Sequence, residues 1–172
     1  MSAEFAAEFP ALTFSSGPTN SLRGASLLTQ LSDALVVDIG GTTSDIGVLQ
    51  GGFPRQSNVA IDVGGVRTNF RMPDIQAIGL GGGSLVSDDG ASIGPRSVGY
   101  RLVTEAMVFG GTTLTTTDIT VASGAARIGD PDRVSQLDEG VVETAVQRMH
   151  QIIDDGIDQM KSSGEPVPVI LV

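Results

Sequence analysis

The sequence predicts an α/β domain with a mixed sheet and flanking helices. Two short apolar runs, 34–37 and 46–49, have the length and composition of buried strands. Residues 138–161 repeat apolar side chains at three- and four-residue spacing, the period of a helix with one apolar face. A final apolar run, 167–172, supplies a further strand.

Residues 1–14 mix Ala, Glu and Phe without a complete pattern. The turn Ser15-Ser16-Gly17-Pro18-Thr19-Asn20 offers Thr19 or Asn20 as a helix N-cap. Leu22, Ala25, Ser26, Leu28 and Leu31 then suit one face of a short helix, and Ser32-Asp33 leads into the first strand. The second strand closes at Gly51-Gly52. Alternation over 56–62 predicts another strand, ending at Gly64-Gly65. Arg67 and Arg71 follow in a polar stretch, each either an anion contact or a solvated or ion-paired surface arginine. Residues 84–93 read as a hairpin turning at Asp88-Asp89-Gly90.

Thr115-Thr116-Thr117-Asp118 suits a β-branched strand or a helix start, with capping the preferred role for Asp118. Ile119, Val121, Ala122 and Ala125 predict a short helix ending near Gly129. The long helix follows, with Asp138 and Glu139 at its positive end and Lys161 at its negative end. His150 falls on its polar side, without a Ser or Cys nucleophile pattern.

Composition narrows the classes. Apolar residues make up 40% and aromatics 4%, so the core is aliphatic. The 23 glycines, with 8 prolines and no low-complexity tract, point to tight turns rather than disorder. A net charge of −10 with Lys161 as the one lysine argues against nucleic acid or an acidic membrane surface as partner. There is no cysteine for a disulfide framework, no signal-peptide pattern and no apolar run long enough to span a bilayer. The expectation is a cytoplasmic protein, with self-association left open.

The chemistry concentrates in Asp38-Ile39-Gly40-Gly41-Thr42-Thr43-Ser44-Asp45. Two apolar strands meet there through a glycine turn with polar groups at its lip. Glycines allow a sharp turn that exposes N–H groups to an anion. The hydroxyls of Thr42, Thr43 and Ser44 can add hydrogen bonds to phosphate oxygens. Asp38 and Asp45 can hold Mg2+ directly or through its waters. A second candidate is Ile78-Gly79-Leu80-Gly81-Gly82-Gly83-Ser84. Consecutive glycines cost backbone entropy, which suits close approach of a ligand or a second backbone, or equally a glycine bulge entering the hairpin.

The Asp-x-Gly-Gly-Thr-x-x-Asp pattern at 38–45 resembles the phosphate hairpin of the actin, sugar-kinase and Hsp70 superfamily. Within it, the chain is most similar to the hydantoinase/oxoprolinase family. The similarity continues in Ser16-Gly17-Pro18, Arg23-Gly24-Ala25, 78–84, Gly94-Pro95-Arg96-Ser97 and Thr115-Thr116-Thr117-Asp118. It implies a ribonuclease-H-like, actin-like ATPase lobe, with residues 1–172 as one α/β domain internal to a larger ATPase. It implies ATP and Mg2+ as cofactors and a cyclic amide substrate such as a hydantoin or 5-oxoproline. The remaining lobe would come from the same polypeptide or a second subunit.

On this resemblance Asp38 organises Mg2+ and, with Thr42, is catalytic. Gly40 and Gly41 give backbone contacts to phosphate, and Thr42 and Thr43 bind its oxygens. Asp45 holds metal waters or braces the hairpin, and Gly81, Gly82, Gly83 and Ser84 lie near the ligand.

Two departures from the family stand out. Gln76 occupies a place where the family commonly has a metal-binding histidine after Asp74, so no transition metal is expected there. Tyr100–Phe109 replaces the family's usual Pro-Gly-Pro-Ala stretch, so substrate choice does not transfer. The alternatives are a sugar or small-acid kinase of the same superfamily and a non-catalytic nucleotide-binding subunit. With one hairpin and no adenosine turn, the chain alone is expected to fold without hydrolysing ATP. Its affinity should be millimolar or weaker, because N–H contacts contribute only about 1 kcal/mol each.

Overall fold

In a computed structural model of the chain, residues 2–57, 62–63, 65–67 and 72–172 are described. Most of the strand expected over 56–62, and Arg71, lie outside them. The elements in chain order are α1 (Ala3–Glu8), α2 (Ser16–Thr29), β1 (Ala34–Ile39), β2 (Ser44–Gln50), β3 (Phe53–Pro54), β4 (Asp62–Val63), β5 (Val66–Arg67) and β6 (Ile75–Ile78). There follow β7 (Ser84–Val86), β8 (Ile93–Ser97), α3 (Leu102–Glu105), α4 (Thr116–Ala122), α5 (Glu139–Met160) and β9 (Val169–Leu171). They form two compact units, the first made of Met1–Asp38, Asp45–Gln76 and Met160–Val172, the second of Ile39–Ser44 and Ala77–Gln159.

The first unit is built on the expected mixed sheet, in the order β3-β2-β1-β9 with β6 also paired to β2. β1 is central, and Ala34, Leu35, Val36 and Val37 are all buried. β9 lies parallel to it, Val36 opposite Ile170, while β3 runs antiparallel to β2. α2 covers one face, where Leu22 and Ala25 pack with Ala34, Val36 and Leu49, and Ile170 closes the cluster. Each fully buried Leu or Val there contributes about 1.5–3 kcal/mol. Gly47 in β2 makes this approach possible, since a Cβ at that position would come within 2.6 Å of a Leu22 methyl. Arg23 fixes the helix to the next turn, donating to the Gly52 carbonyl and lying 4.2 Å over the Phe53 ring.

α2 differs from expectation at both ends. It starts at Ser16, ahead of the proposed caps; Thr19 lies inside it, with its hydroxyl donating to the Ser15 carbonyl. Leu22, Ala25 and Ser26 are buried as expected, but Leu28 is 88% exposed and Leu31 is also exposed. At 100° per residue, position 28 falls well round the helix from the buried face shared by 22, 25 and 26.

In the second unit, β7 and β8 form the predicted hairpin, pairing Ser84 with Ser97 and Val86 with Ile93. α5 follows its predicted bounds closely and leaves His150 exposed. Its Val142 and Ala145 pack with Val86 and Ile119, joined by Ile93, Leu114 and Met149. A second cluster gathers Ala106, Val108, Val121 and Val134.

Asp118 is not the N-cap. Thr115 caps α4, and Asp118, three residues on, completes a reciprocal capping box. The same carboxylate is 0% exposed and accepts hydrogen bonds from Val108 N–H (2.8 Å), Thr115 N–H (2.8 Å) and the Thr115 hydroxyl (2.7 Å). α4 ends at Ala122, before Gly124 at φ 78°, and not near Gly129. Asp118→Ala strands buried donors from two segments, so it should lower unfolding stability by about 3 kcal/mol. Chemical denaturation checks this, and a loss below about 1 kcal/mol contradicts the assigned role.

Candidate functional site

β1 and β2 are joined by the turn 40–43, closed by Gly40 N–H donating to the Thr43 carbonyl at 2.9 Å. The tip of this turn belongs to the second unit, where a second backbone holds it. Gly82 N–H donates to the Gly40 carbonyl (3.0 Å), and Gly83 N–H donates to the Gly41 carbonyl (2.7 Å). Only glycine allows this proximity. A Cβ on Gly81 would lie 2.6 Å from the Thr42 nitrogen and 2.7 Å from the Gly40 oxygen, both immovable backbone atoms. A Cβ on Gly83 would lie 3.0 Å from the Gly41 oxygen.

The glycine loop is itself held from behind. The Thr116 hydroxyl donates to the Gly81 carbonyl, and Thr117 donates to the Gly82 carbonyl through its hydroxyl (2.8 Å) and its N–H (3.0 Å). The Ser44 hydroxyl, buried at the foot of the turn, donates to the Leu80 carbonyl at 2.6 Å. Ser84 is 0% exposed; its hydroxyl accepts from Gly81 N–H (2.9 Å) and donates to the Gly79 carbonyl (3.4 Å).

These contacts divide the candidates. Gly41, Thr42 and Thr43 are exposed, and their N–H groups and the two threonine hydroxyls have no hydrogen-bond partner among the described residues. They are the groups available to an anion. Gly81, Gly82, Gly83 and Ser84 were expected near the ligand, but all their N–H groups are engaged. The Gly81 N–H goes to Ser84, those of Gly82 and Gly83 to the turn, and that of Ser84 to the Gly81 carbonyl. They position the tip and have no free N–H for phosphate. Ser44 is likewise a brace, not a phosphate contact. Of the two forms of close approach, the triple glycine meets a second backbone, and it leads into the β7–β8 hairpin.

Thr116 and Thr117 are site-supporting residues beyond those that the motifs mark. The signal was present in Thr-Thr-Thr-Asp, because a capping box at Thr115 and Asp118 turns the two intervening hydroxyls toward whatever precedes the helix.

Asp38 and Asp45 belong to the first unit, on the two strands of the hairpin. Both are half-buried, and neither is ion-paired among the described residues. Burial, and then the charge of Asp38, raise the Asp45 carboxyl above its ordinary value. Two neighbouring carboxylates with no cation suit Mg2+, which takes few protein oxygens and keeps much of its water. No cluster of three or more His, Cys, Asp or Glu with metal-binding spacing occurs among the described residues. Asp74 has another partner, the Arg55 guanidinium at 2.8 Å, which also donates to the Ser162 hydroxyl and the Met160 carbonyl. No helix among the described residues is long and apolar enough to cross a membrane.

Fold and site together define a mixed α/β protein with a glycine-turn hairpin suited to anions. The chain belongs to the hydantoinase/oxoprolinase family, whose sequence model matches residues 1–163. A solved ATP-dependent caprolactamase from Pseudomonas jessenii is similar at 25% identity and a TM-score of 0.64, over 86% of this chain and 25% of that one. Acetone carboxylase, solved nucleotide-free in a study of ATP-dependent acetone carboxylation, shares the fold at 20% identity and a TM-score of 0.57, over 82% of this chain and 23% of that one. The chain thus spans about a quarter of the length of these solved relatives. A search of curated proteins found no match.

Gly81→Ala should push the loop off the turn, at a cost of about 1–3 kcal/mol. Amide exchange at Gly82 and Gly83 should accelerate, whereas Gly41→Ala, whose Cβ meets nothing within 4 Å, should leave it unchanged. Equal protection in wild type and Gly81→Ala contradicts the close-contact account.

The raised Asp45 carboxyl fixes a pH dependence. The folded state holds this proton more tightly than the unfolded chain, where the group titrates near 3.8. Stability therefore falls as pH rises from about 3.8 through the raised value. Asp45→Asn should be more stable than wild type at pH 7 and show no gain at pH 3, in paired denaturation curves. A gain of the same size at both pH values contradicts the repulsion.

Proposed function

We propose that the complete gene product carrying this chain couples ATP to the opening of a cyclic amide. The observation that carries the proposal is the exposed turn 41–43, whose N–H groups and threonine hydroxyls have no hydrogen-bond partner among the described residues. Membership of the hydantoinase/oxoprolinase family and similarity to an ATP-dependent caprolactamase support the cyclic amide as substrate class.

In this reading the N–H groups of Gly41, Thr42 and Thr43 and the two threonine hydroxyls hold the terminal phosphate. The Gly40 N–H is engaged within the turn and supplies shape. Asp38 and Asp45 would hold Mg2+, which when bound neutralises phosphate charge. Phosphoryl transfer depends chiefly on such positioning and neutralisation. The phosphoryl group passes from ATP to the amide oxygen, and ADP leaves. Water then attacks the activated ring carbonyl carbon, the ring C–N bond opens and phosphate is released, leaving an amino acid from a lactam or an N-carbamoyl amino acid from a hydantoin. Thr42 orients the transferred group, and Asp38 would organise the Mg2+ that offsets the phosphate charge.

The test is turnover by the complete gene product with Mg-ATP and hydantoin, 5-oxoproline or caprolactam, following ADP, phosphate and ring-opened product. Accumulation of a stable phosphorylated substrate would replace this reading with a kinase. Asp38→Asn should preserve the fold by circular dichroism and lower turnover about 100-fold or more. Near-normal turnover with unchanged Mg2+ dependence would remove Asp38 from the mechanism.

A further inference from the structure

The segment bearing Tyr100 is fixed against the hairpin turn by a chain of contacts within the second unit. The Gly41 carbonyl accepts from Gly83 N–H at 2.7 Å, and the Gly83 carbonyl accepts in turn from Val98 N–H at 2.9 Å. Ser97 Oγ accepts from Gly99 N–H at 3.0 Å, and Arg101 N–H closes the turn onto the Val98 carbonyl at 3.2 Å. Gly99, at φ 57°, abuts the turn itself, because a Cβ there would lie 3.8 Å from the Thr42 methyl, in van der Waals contact.

Val98 is buried and Leu102 half-buried, so the segment is anchored on both sides. Tyr100 between them is 94% exposed, the highest value among the large apolar side chains of the described residues. It is also the one tyrosine in a chain with 4% aromatics. A single exposed aromatic is ordinary on any surface. One carried on a held backbone, next to a glycine that approaches the residue that would hold the transferred phosphoryl group, has a specific use.

We propose that Tyr100 is a specificity residue that receives the amide ring on the acceptor side of Thr42. The inference rests on the reading of function above. The ring oxygen must meet the terminal phosphate held at 41–43, so the ring has to lie against a neighbour of that turn. Gly99-Tyr100 is the segment whose backbone is tied to the turn through Gly83 and whose side chain is free. A flat or shallowly puckered lactam or hydantoin ring stacks on a phenol face through dispersion and burial of apolar area. The adjacent Gly99 leaves room for the ring to approach Thr42. This contact would act on the amide and not on the nucleotide.

The experiment compares wild type, Tyr100→Phe and Tyr100→Ala in the complete gene product, with hydantoin, 5-oxoproline and caprolactam as separate probes. Tyr100→Ala should raise KM for the preferred amide about tenfold or more and change the order of preference among the rings. It should leave KM for Mg-ATP within about twofold of wild type. Tyr100→Phe, which keeps the face, should stay close to wild type. An unchanged amide KM and ranking in Tyr100→Ala overturns the assignment, as does an equal rise in KM for ATP, which would put Tyr100 on the nucleotide. Wild type without ATP-dependent turnover of any of these amides would remove the reading of function, and this assignment with it. Active wild type with an unaffected Tyr100→Ala removes this assignment alone.

Discussion

The candidate site depends on one backbone-to-backbone contact, the hydrogen bonds from Gly82 and Gly83 to the carbonyls of Gly40 and Gly41. With these carbonyls held, the N–H groups of residues 41–43 have no hydrogen-bond partner among the described residues. A two-residue β-turn tip standing alone would be free to reorient, and an anion would have to bear the cost of ordering it. Here the order is supplied in advance by a loop whose own carbonyls are fixed by Thr116 and Thr117. The N-terminus of α4, its capping box and the buried Asp118 carboxylate therefore matter to the hairpin at one remove, through the glycine loop.

Much of this was legible in the sequence. The strands around Asp38 and Asp45, the hairpin of β7 and β8 and the long α5 follow from apolar spacing and turn residues, which are local signals. Asp-x-Gly-Gly-Thr also located the turn with free N–H groups. What sequence could not give was which glycines face a ligand and which face another strand of the same protein. Gly41 and Gly81 are chemically identical, yet one is open and the other is wedged against Thr42. The same limit applies to hydroxyls. Ser44 and Thr43 are adjacent and equally polar, but strand alternation buries the first on Leu80 and leaves the second exposed. Leu28 is apolar yet exposed, because its angle about α2, and not its side-chain type, decides which way it faces.

Family membership and site geometry constrain different things. The family, with its fold, makes an ATP-linked hydrolase the natural reading, while the carboxylates and open amides give that reading a physical basis. Neither fixes the substrate. The stretch beginning at Tyr100 is tied to the turn through Gly83 and Val98. Variation of substrate choice with a constant phosphate-binding turn would then need change only in a segment that the scaffold already holds in place.

The central claim is that the turn at 41–43 binds phosphate through its own N–H groups while the triple glycine holds it. Amide-resolved NMR of the chain, titrated with Mg-tripolyphosphate to millimolar concentration, tests this most directly because weak binding is sufficient. The account predicts the largest saturable shifts at Gly41, Thr42 and Thr43, with Gly82 and Gly83 remaining protected from exchange throughout. Absence of saturable shifts at these three amides, or loss of protection at Gly82 and Gly83 on binding, would contradict it.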